Sequence, residues 1–278
     1  MILKQTIQKH LEPQEIKDVQ VLKETNKKIY SIEYKLDLSF FKKTNEKVDH
    51  LLCWEEDVLV GYAALSNFDP EELEVTIIAQ PNKKIIDKIQ EAIVSFSRQR
   101  MIKEILWIID RKDHFLNSYV KEVSGYKYSF SEYAMILATD QFVLTPSDYA
   151  IEPARIEEAK AIAALEYGKS TDEIVPIDQE DLKKTLVLRE NGQVIASIRL
   201  ENEDNSYGIY GFVVRPDYRG QGIGRKIICQ LVQQLIDKQA TKIYLEVDST
   251  NEAARHLYHS IGFEEQTLFD YYIYTLNR

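Results

Sequence analysis

Cysteine is almost missing from this chain of 278 residues, where Cys53 and Cys229 are the only two. They sit in different halves, each inside an apolar periodic segment, so neither a disulfide framework nor a thiolate zinc site is on offer; both read as small core residues. Long apolar runs are missing too. No segment approaches the ~18 apolar residues that cross a bilayer. The opening Met1-Ile2-Leu3-Lys4-Gln5-Thr6 is too polar for a secretory signal, which predicts a cytoplasmic protein with no membrane partner. Basic charge is in deficit, with 35 Lys and Arg against 45 Asp and Glu and a formal charge of −10. Such a field repels phosphate backbones, which argues against nucleic acid as a partner and favours a cationic one. A local basic cluster at Arg215, Arg219, Arg225 and Lys226 runs against this average and suits a small polyanion.

What the chain does have is 44% apolar and 29% charged residues, the balance of soluble globular domains, and enough length for two ordinary cores. The clearest helix is 223–238, where Ile223, Ile227, Leu231 and Leu235 recur at i+4 with Ile228, Val232 and Ile236 beside them. Runs 207–214 and 242–247 flank it and read as strands, so the three form a β-loop-α-β unit with parallel strands that need not pair over their full length. Asn191-Gly192 between runs 185–189 and 194–200 signals a hairpin. A strand at 149–154, helices at 156–167 and 251–260, and a closing aromatic strand at 269–276 complete the order β-α-linker-β-β-β-α-β-α-β-β.

The first half repeats this plan more weakly: a hairpin 51–54 and 58–65, a strand 73–79, a helix 83–100 and a strand 104–110. Pro81 stands 135 positions before Pro216 and Asp110 stands 138 before Asp248, so about three residues are missing in the loop between them. The boundary falls between Thr139 and Ser147, giving domains 1–140 and 147–278. An internal pseudo-dimer can replace a homodimer, so monomer and homodimer both remain open.

Between strand and helix of the second half lies Arg215-Pro216-Asp217-Tyr218-Arg219-Gly220-Gln221-Gly222-Ile223-Gly224. Alternating glycines permit positive φ and close approach, so successive N–H groups can converge on an anion at a helix N-terminus. The spacing satisfies neither G-x-G-x-x-G nor G-x-x-x-x-G-K-[ST]. It does present Arg219-x-x-Gly222-x-Gly224 after Val213-Val214, followed by Asn251-x-x-Ala254-x-x-Leu257-Tyr258 and Gly262-Phe263. In that joint order residues 149–276 resemble the GCN5-related N-acetyltransferase (GNAT) family.

The resemblance implies a mixed α/β fold, here two GNAT-like domains in tandem, each a mostly antiparallel twisted sheet around a β-loop-α-β unit flanked by helices. It implies an enzyme that moves an acetyl group from acetyl-CoA directly to a primary amine of a small molecule, peptide or protein, with no metal. By that resemblance Phe212, Val213 and Val214 would pair with the pantetheine arm. Arg219, Gly220, Gln221, Gly222, Ile223, Gly224 and Arg225 would hold the pyrophosphate, and Asn251 would touch the cofactor. Asn251 reads equally well as a helix cap.

Tyr258 would be the acid beside the departing sulfur; with a phenol at ~10 and a thiol at ~8.5, full transfer is uphill by about 2 kcal/mol. Glu246, an acid in an apolar strand, would be the base, as in the family branch that acetylates protein α-amino groups, though an outward, solvated side chain suits the alternation too. Deprotonating an α-amine at pH 7 costs about 1 kcal/mol against about 4.6 for lysine, so a weak base suffices. His256 and His259 read as surface residues. The first half lacks the glycines in Gln80-Pro81-Asn82-Lys83-Lys84-Ile85, has Ile108 in place of Glu246 and has Tyr119 out of step, so it reads as a degenerate copy. A non-catalytic acyl-CoA-binding or scaffolding protein is the alternative reading.

Overall fold

The hairpins expected at 51–65 and 185–200 both form. At Asn191-Gly192 both residues take positive φ, 50° and 75°, the signature of a type I′ turn. A second such turn went unread in the sequence: Asp204 and Asn205, at φ 47° and 64°, close a longer hairpin. The computed structural model describes residues 2–36, 41, 45–168, 170 and 174–276. Its contacts divide into two compact units, residues 1–132 with 267–278, and residues 133–266.

The first unit contains β1 (Leu3–Gln8), α1 (Pro13–Tyr30), β2 (Val48–Glu55), β3 (Val58–Ser66), β4 (Glu72–Ala79), α2 (Lys83–Gln99), β5 (Glu104–Asp110), α3 (His114–Glu122) and the first part of β6 (Tyr126–Leu137). Neighbours β1, β2, β3 and β4 pair antiparallel, and β4 with β5 parallel. The chain's last strand, Phe263–Thr275, gives residues 267–275 to this unit, paired antiparallel with β5 from Phe269↔Asp110 to Thr275↔Glu104. One face of the sheet packs on α2, with Ile85, Ile86, Ile89 and Ile93 fully enclosed; the other packs on α1 through Val19 and Leu22. Sequence reading missed β1, α1, α3 and β6. The helix pattern of α1 carries only Val19, Leu22 and Asn26 buried on a mostly polar cylinder, too faint a stripe to read.

The second unit takes the end of β6, then β7 (Ile151–Pro153), α4 (Ala159–Tyr167), α5 (Gln179–Lys183), β8 (Thr185–Glu190), β9 (Gln193–Glu203), β10 (Ser206–Val214), α6 (Ile223–Asp237), β11 (Lys242–Asp248), α7 (Glu252–Ile261) and the start of β12 (Phe263–Thr275). Here β7, β8, β9 and β10 pair antiparallel, and β10 pairs β11 parallel, as the β-loop-α-β reading requires. Helix α6 lays Ile223, Ile227, Ile228, Leu231, Val232 and Leu235 into the core, while Ile236 is only partly covered. Each enclosed aliphatic of this kind is worth about 1.5–3 kcal/mol. Helices α4 and α5 cover a smaller cluster of Ala159, Ile162, Leu182, Val187 and Val194.

The repeat is visible in the pairing. Residues 72–75 pair with 104–107, and residues 206–209 with 242–245: four parallel steps each, with the connection between the strands four residues shorter in the first half. The fold is therefore mixed α/β with a GNAT-like plan in each half. Residues 133–140 count by contact with the second unit and 267–278 with the first, so copies drawn at 1–140 and 147–278 are a proposal about descent rather than a description of the compact units. The closing strand also begins at Phe263, six residues before the sequence pattern becomes aromatic.

Candidate functional site

The site begins where two strands part. Parallel pairing of β10 with β11 runs from Ser206↔Lys242 to Ile209↔Leu245 and stops there. Beyond that point Val213 and Val214 still pair with Ser197 and Ala196 of β9 on one edge. The edge that faced β11 has lost its ladder. Backbone N–H and C=O groups need partners, so an extended ligand can bind there as an added strand.

The cause of the parting is local. Pairing of β9 with β10 slips by one residue between Tyr210 and Val213, and Gly211 in that interval has φ +53°. This is a β-bulge, which bends its strand and increases local twist. Strand β4 of the first unit pairs with β3 without any register shift, so the bulge at Gly211 distinguishes β10 from β4. A glycine inside a strand-like run was the available signal.

The glycine loop follows. Pro216–Tyr218 forms a single 3-10 turn, Gly220 and Gly222 take φ +75° and +76°, and α6 starts with Gly222 as N-cap without any side-chain cap. A Cβ built on either glycine meets nothing within 4 Å, so only backbone conformation demands glycine, and the helix's first N–H groups have no intrahelical partner. Gly224 differs: it is helical, and a Cβ there would touch Phe212 at 3.4 Å and Leu257 at 3.6 Å.

The basic cluster is less available than its sequence suggests. Arg215 is bound at 2.7 and 2.9 Å to Asp217 and lies on the Tyr218 ring. Arg219 donates to the Val214 carbonyl at 2.8 Å. Arg225 points away from the loop, donating to Thr145 Oγ1 at 2.8 Å and to the Ser260 carbonyl at 2.9 Å, and Lys226 lies over Tyr149. An anion here would be held chiefly by main-chain N–H groups and the helix dipole.

Burial along β11 alternates: Ile243, Leu245 and Val247 are enclosed against α6, while Tyr244, Glu246 and Asp248 lie half-buried on the opposite face. Tyr244 meets Tyr210 edge to face at 6.4 Å above Gly208. Asn251 caps α7, its Oδ1 accepting from the Ala254 N–H at 3.1 Å, as the capping reading has it. Tyr258 is 7% exposed, packs edge to face on Phe263, and among the described residues its hydroxyl has no hydrogen-bond partner. Burial pushes its phenol up to about 12, which lifts the cost of full proton transfer to a thiolate to roughly 5 kcal/mol. A hydrogen bond to sulfur is then the economical role. His259 pairs with Glu265 at 3.0 Å, consistent with a surface residue.

Two further residues escaped the sequence reading. Glu166 of α4 lies over Gly211, so a Cβ at that glycine would sit 2.4 Å from its Oε1. Arg199 of β9 stands 3.6 Å from the same oxygen.

The first unit has the same parting of β4 and β5 after Val75↔Trp107, but its own chain spans the gap. Thr76 Oγ1 donates to the Lys35 carbonyl at 2.8 Å, the Glu33 N–H donates to Asp110 at 2.7 Å, and Ile32 is buried. At the start of α2, Asn82 caps the helix by accepting from the Lys84 N–H at 3.0 Å. Ile108 is buried, and Tyr119 is stacked on Trp107 and bonded to Asp87 at 3.0 Å.

Comparison with known proteins gives a consistent picture. The sequence profile of the acetyltransferase (GNAT) family matches residues 153–263. Residues of this chain are 33% identical over 81 positions, 29% of the chain and 55% of the relative, to the [ribosomal protein bS18]-alanine N-acetyltransferase of Escherichia coli strain K12. The enzyme of that name from Haemophilus influenzae is 34% identical over 80 positions, 54% of its length. The chain thus spans about half the length of the curated relatives it matches. Among solved structures, a GCN5-related N-acetyltransferase from Sphaerobacter thermophilus superposes with TM-score 0.75 at 13% identity, covering 99% of this chain and 96% of that one. A tandem GNAT protein from the clavulanic acid biosynthesis pathway gives 0.70 at 10% identity, covering 100% and 99%. At such identities these two establish the fold alone.

Proposed function

Because residues 153–263 form a domain of the acetyltransferase (GNAT) family, we propose that the chain moves an acetyl group from acetyl-CoA directly to a primary amine while both are bound. The observation that carries this reading is the pair of diverging strands β10 and β11 opening beside an uncapped, glycine-led helix N-terminus. The unpaired edge at Phe212, Val213 and Val214 suits the pantetheine amides. The N–H groups of Gly220, Gln221, Gly222, Ile223, Gly224 and Arg225 suit a pyrophosphate, with Arg219 and Asn251 beside it.

Acetyl-CoA supplies an activated thioester; the chain supplies position and proton handling. Glu246 takes the proton of the incoming ammonium, leaving a neutral nucleophile. The Tyr258 hydroxyl donates a hydrogen bond to the departing sulfur. A protein or peptide α-amino group is the acceptor class that needs the weakest base, and the similarity to [ribosomal protein bS18]-alanine N-acetyltransferases supports it. Calorimetry with acetyl-CoA, followed by thiol release in the presence of free-amine peptides, tests the reading. Silence in calorimetry at millimolar coenzyme A would sink it.

A further inference from the structure

The bulge that opens the site also seats a carboxylate. Glu166 projects from α4 onto the glycine face of Gly211: an ideal Cβ there would lie 2.4 Å from Oε1, 2.9 Å from the carboxyl carbon and 3.3 Å from Oε2. Only a glycine, at φ +53°, admits the group so close to the strand. The side chain keeps 11% of its surface open. Its Oε1 is buried without a hydrogen-bond partner among the described residues, and so is Nε of Arg199.

Ordinary ion pairing does not account for this placement. Arg199 lies 3.6 Å from Glu166, 3.5 Å from Asp181 of α5 and 3.9 Å from Glu201 of β9, each beyond good hydrogen-bond length. Arg199 and Lys184, the latter 3.7 Å from Glu201, face three carboxylates, which leaves the group one positive charge short. A largely buried carboxylate without a close donor is costly, and a cation that brings N–H donors to its open part, rather than to the enclosed Oε1, relieves that cost. Burial and the nearby Asp181 already hold Glu166 above the usual carboxylate range, with Arg199 opposing them.

We propose that Glu166 is a positioning residue that anchors the cationic nitrogen of the acceptor beside the bulge, on the side of β10 covered by α4. The ligand class is a primary ammonium, such as a peptide α-amino group, and the inference rests on the acetyltransferase reading above. Glu166 binds the charged form and orients it; no bond is made or broken at Glu166. Arg199 holds the carboxylate from behind without satisfying it.

The test uses the full chain loaded with coenzyme A and titrated with alaninamide and with lactamide, its neutral hydroxyl counterpart. The wild-type protein binds the amine in preference. Glu166→Gln weakens alaninamide binding, and raises its KM, roughly 10- to 100-fold, the worth of one charged hydrogen bond, while kcat falls less than about threefold. Glu166→Asp restores part of the loss, which a packing defect would not. Equal amine affinity in wild type and Glu166→Gln, or no preference for amine over lactamide, overturns the proposal. Coenzyme A that fails to bind at all strikes the underlying acetyltransferase reading instead.

Discussion

Gly211 and Gly224 stand close in sequence yet answer to different constraints. Gly211 combines φ +53° with a carboxylate 2.4 Å from any Cβ, so Gly211→Ala must distort the strand or expel Glu166. We expect a loss of about 1–3 kcal/mol of stability, read from the denaturant midpoint. Gly224→Ala meets only van der Waals contact and replaces a helical glycine, so its stability should change by less than about 1 kcal/mol.

Tyr258 supports a prediction in pH. Its folded value lies at about 12 against an ordinary 10, so the neutral phenol is favoured by folding. The stabilisation is present in full below pH 10 and is lost as pH climbs toward 12. Comparing wild type with Tyr258→Phe between pH 9 and 11.5 should show the wild-type midpoint falling more steeply. The same substitution should lower turnover roughly 10- to 100-fold, within the range of general acid contributions, while leaving acetyl-CoA affinity unchanged within about twofold.

At the scale of elements, the start of α6 is built to stay open. Helices α2, α3 and α7 begin with side-chain caps from Asn82, Asp113 and Asn251, whereas α6 begins with a bare left-handed glycine. Substituting Gly222 with Val forces a branched residue into φ +76° at that point. Coenzyme A affinity should drop at least about tenfold by calorimetry, since the N–H groups that would converge on the pyrophosphate are displaced. Asn251→Ala should cost about 1 kcal/mol of stability through the lost cap. A larger effect on coenzyme A binding than on stability would assign Asn251 to the ligand as well.

For the whole molecule, one coenzyme A per chain is the expected stoichiometry. Among the described residues the second unit leaves its parted strands unbridged, while the first fills the matching gap with residues 32–36 and caps the matching helix. A calorimetric stoichiometry of two would contradict this. The first unit also depends on the far end of the chain, because residues 267–276 supply a strand paired to β5 and the buried Phe269, Tyr271, Tyr272 and Leu276. A chain ending at residue 266 should therefore lose hydrogen-exchange protection first in β5, far away in sequence.

Sequence alone determined the features written in local pattern: the period of α6, the hairpin at Asn191-Gly192, the glycine loop with its departure from rival phosphate motifs, and the repeat between halves. These are short-range properties, carried by residue spacing and by the φ values a residue tolerates. Only the tertiary structure decided that strand 267–275 serves the first unit, that Arg225 is spent on Thr145 and Ser260, and that Glu166 comes to rest on Gly211. Glu166 and Gly211 lie 45 positions apart, and no local propensity links them. What joins them is the packing of α4 onto a strand bent by one extra residue, a long-range choice settled by burial of the small cluster under that helix.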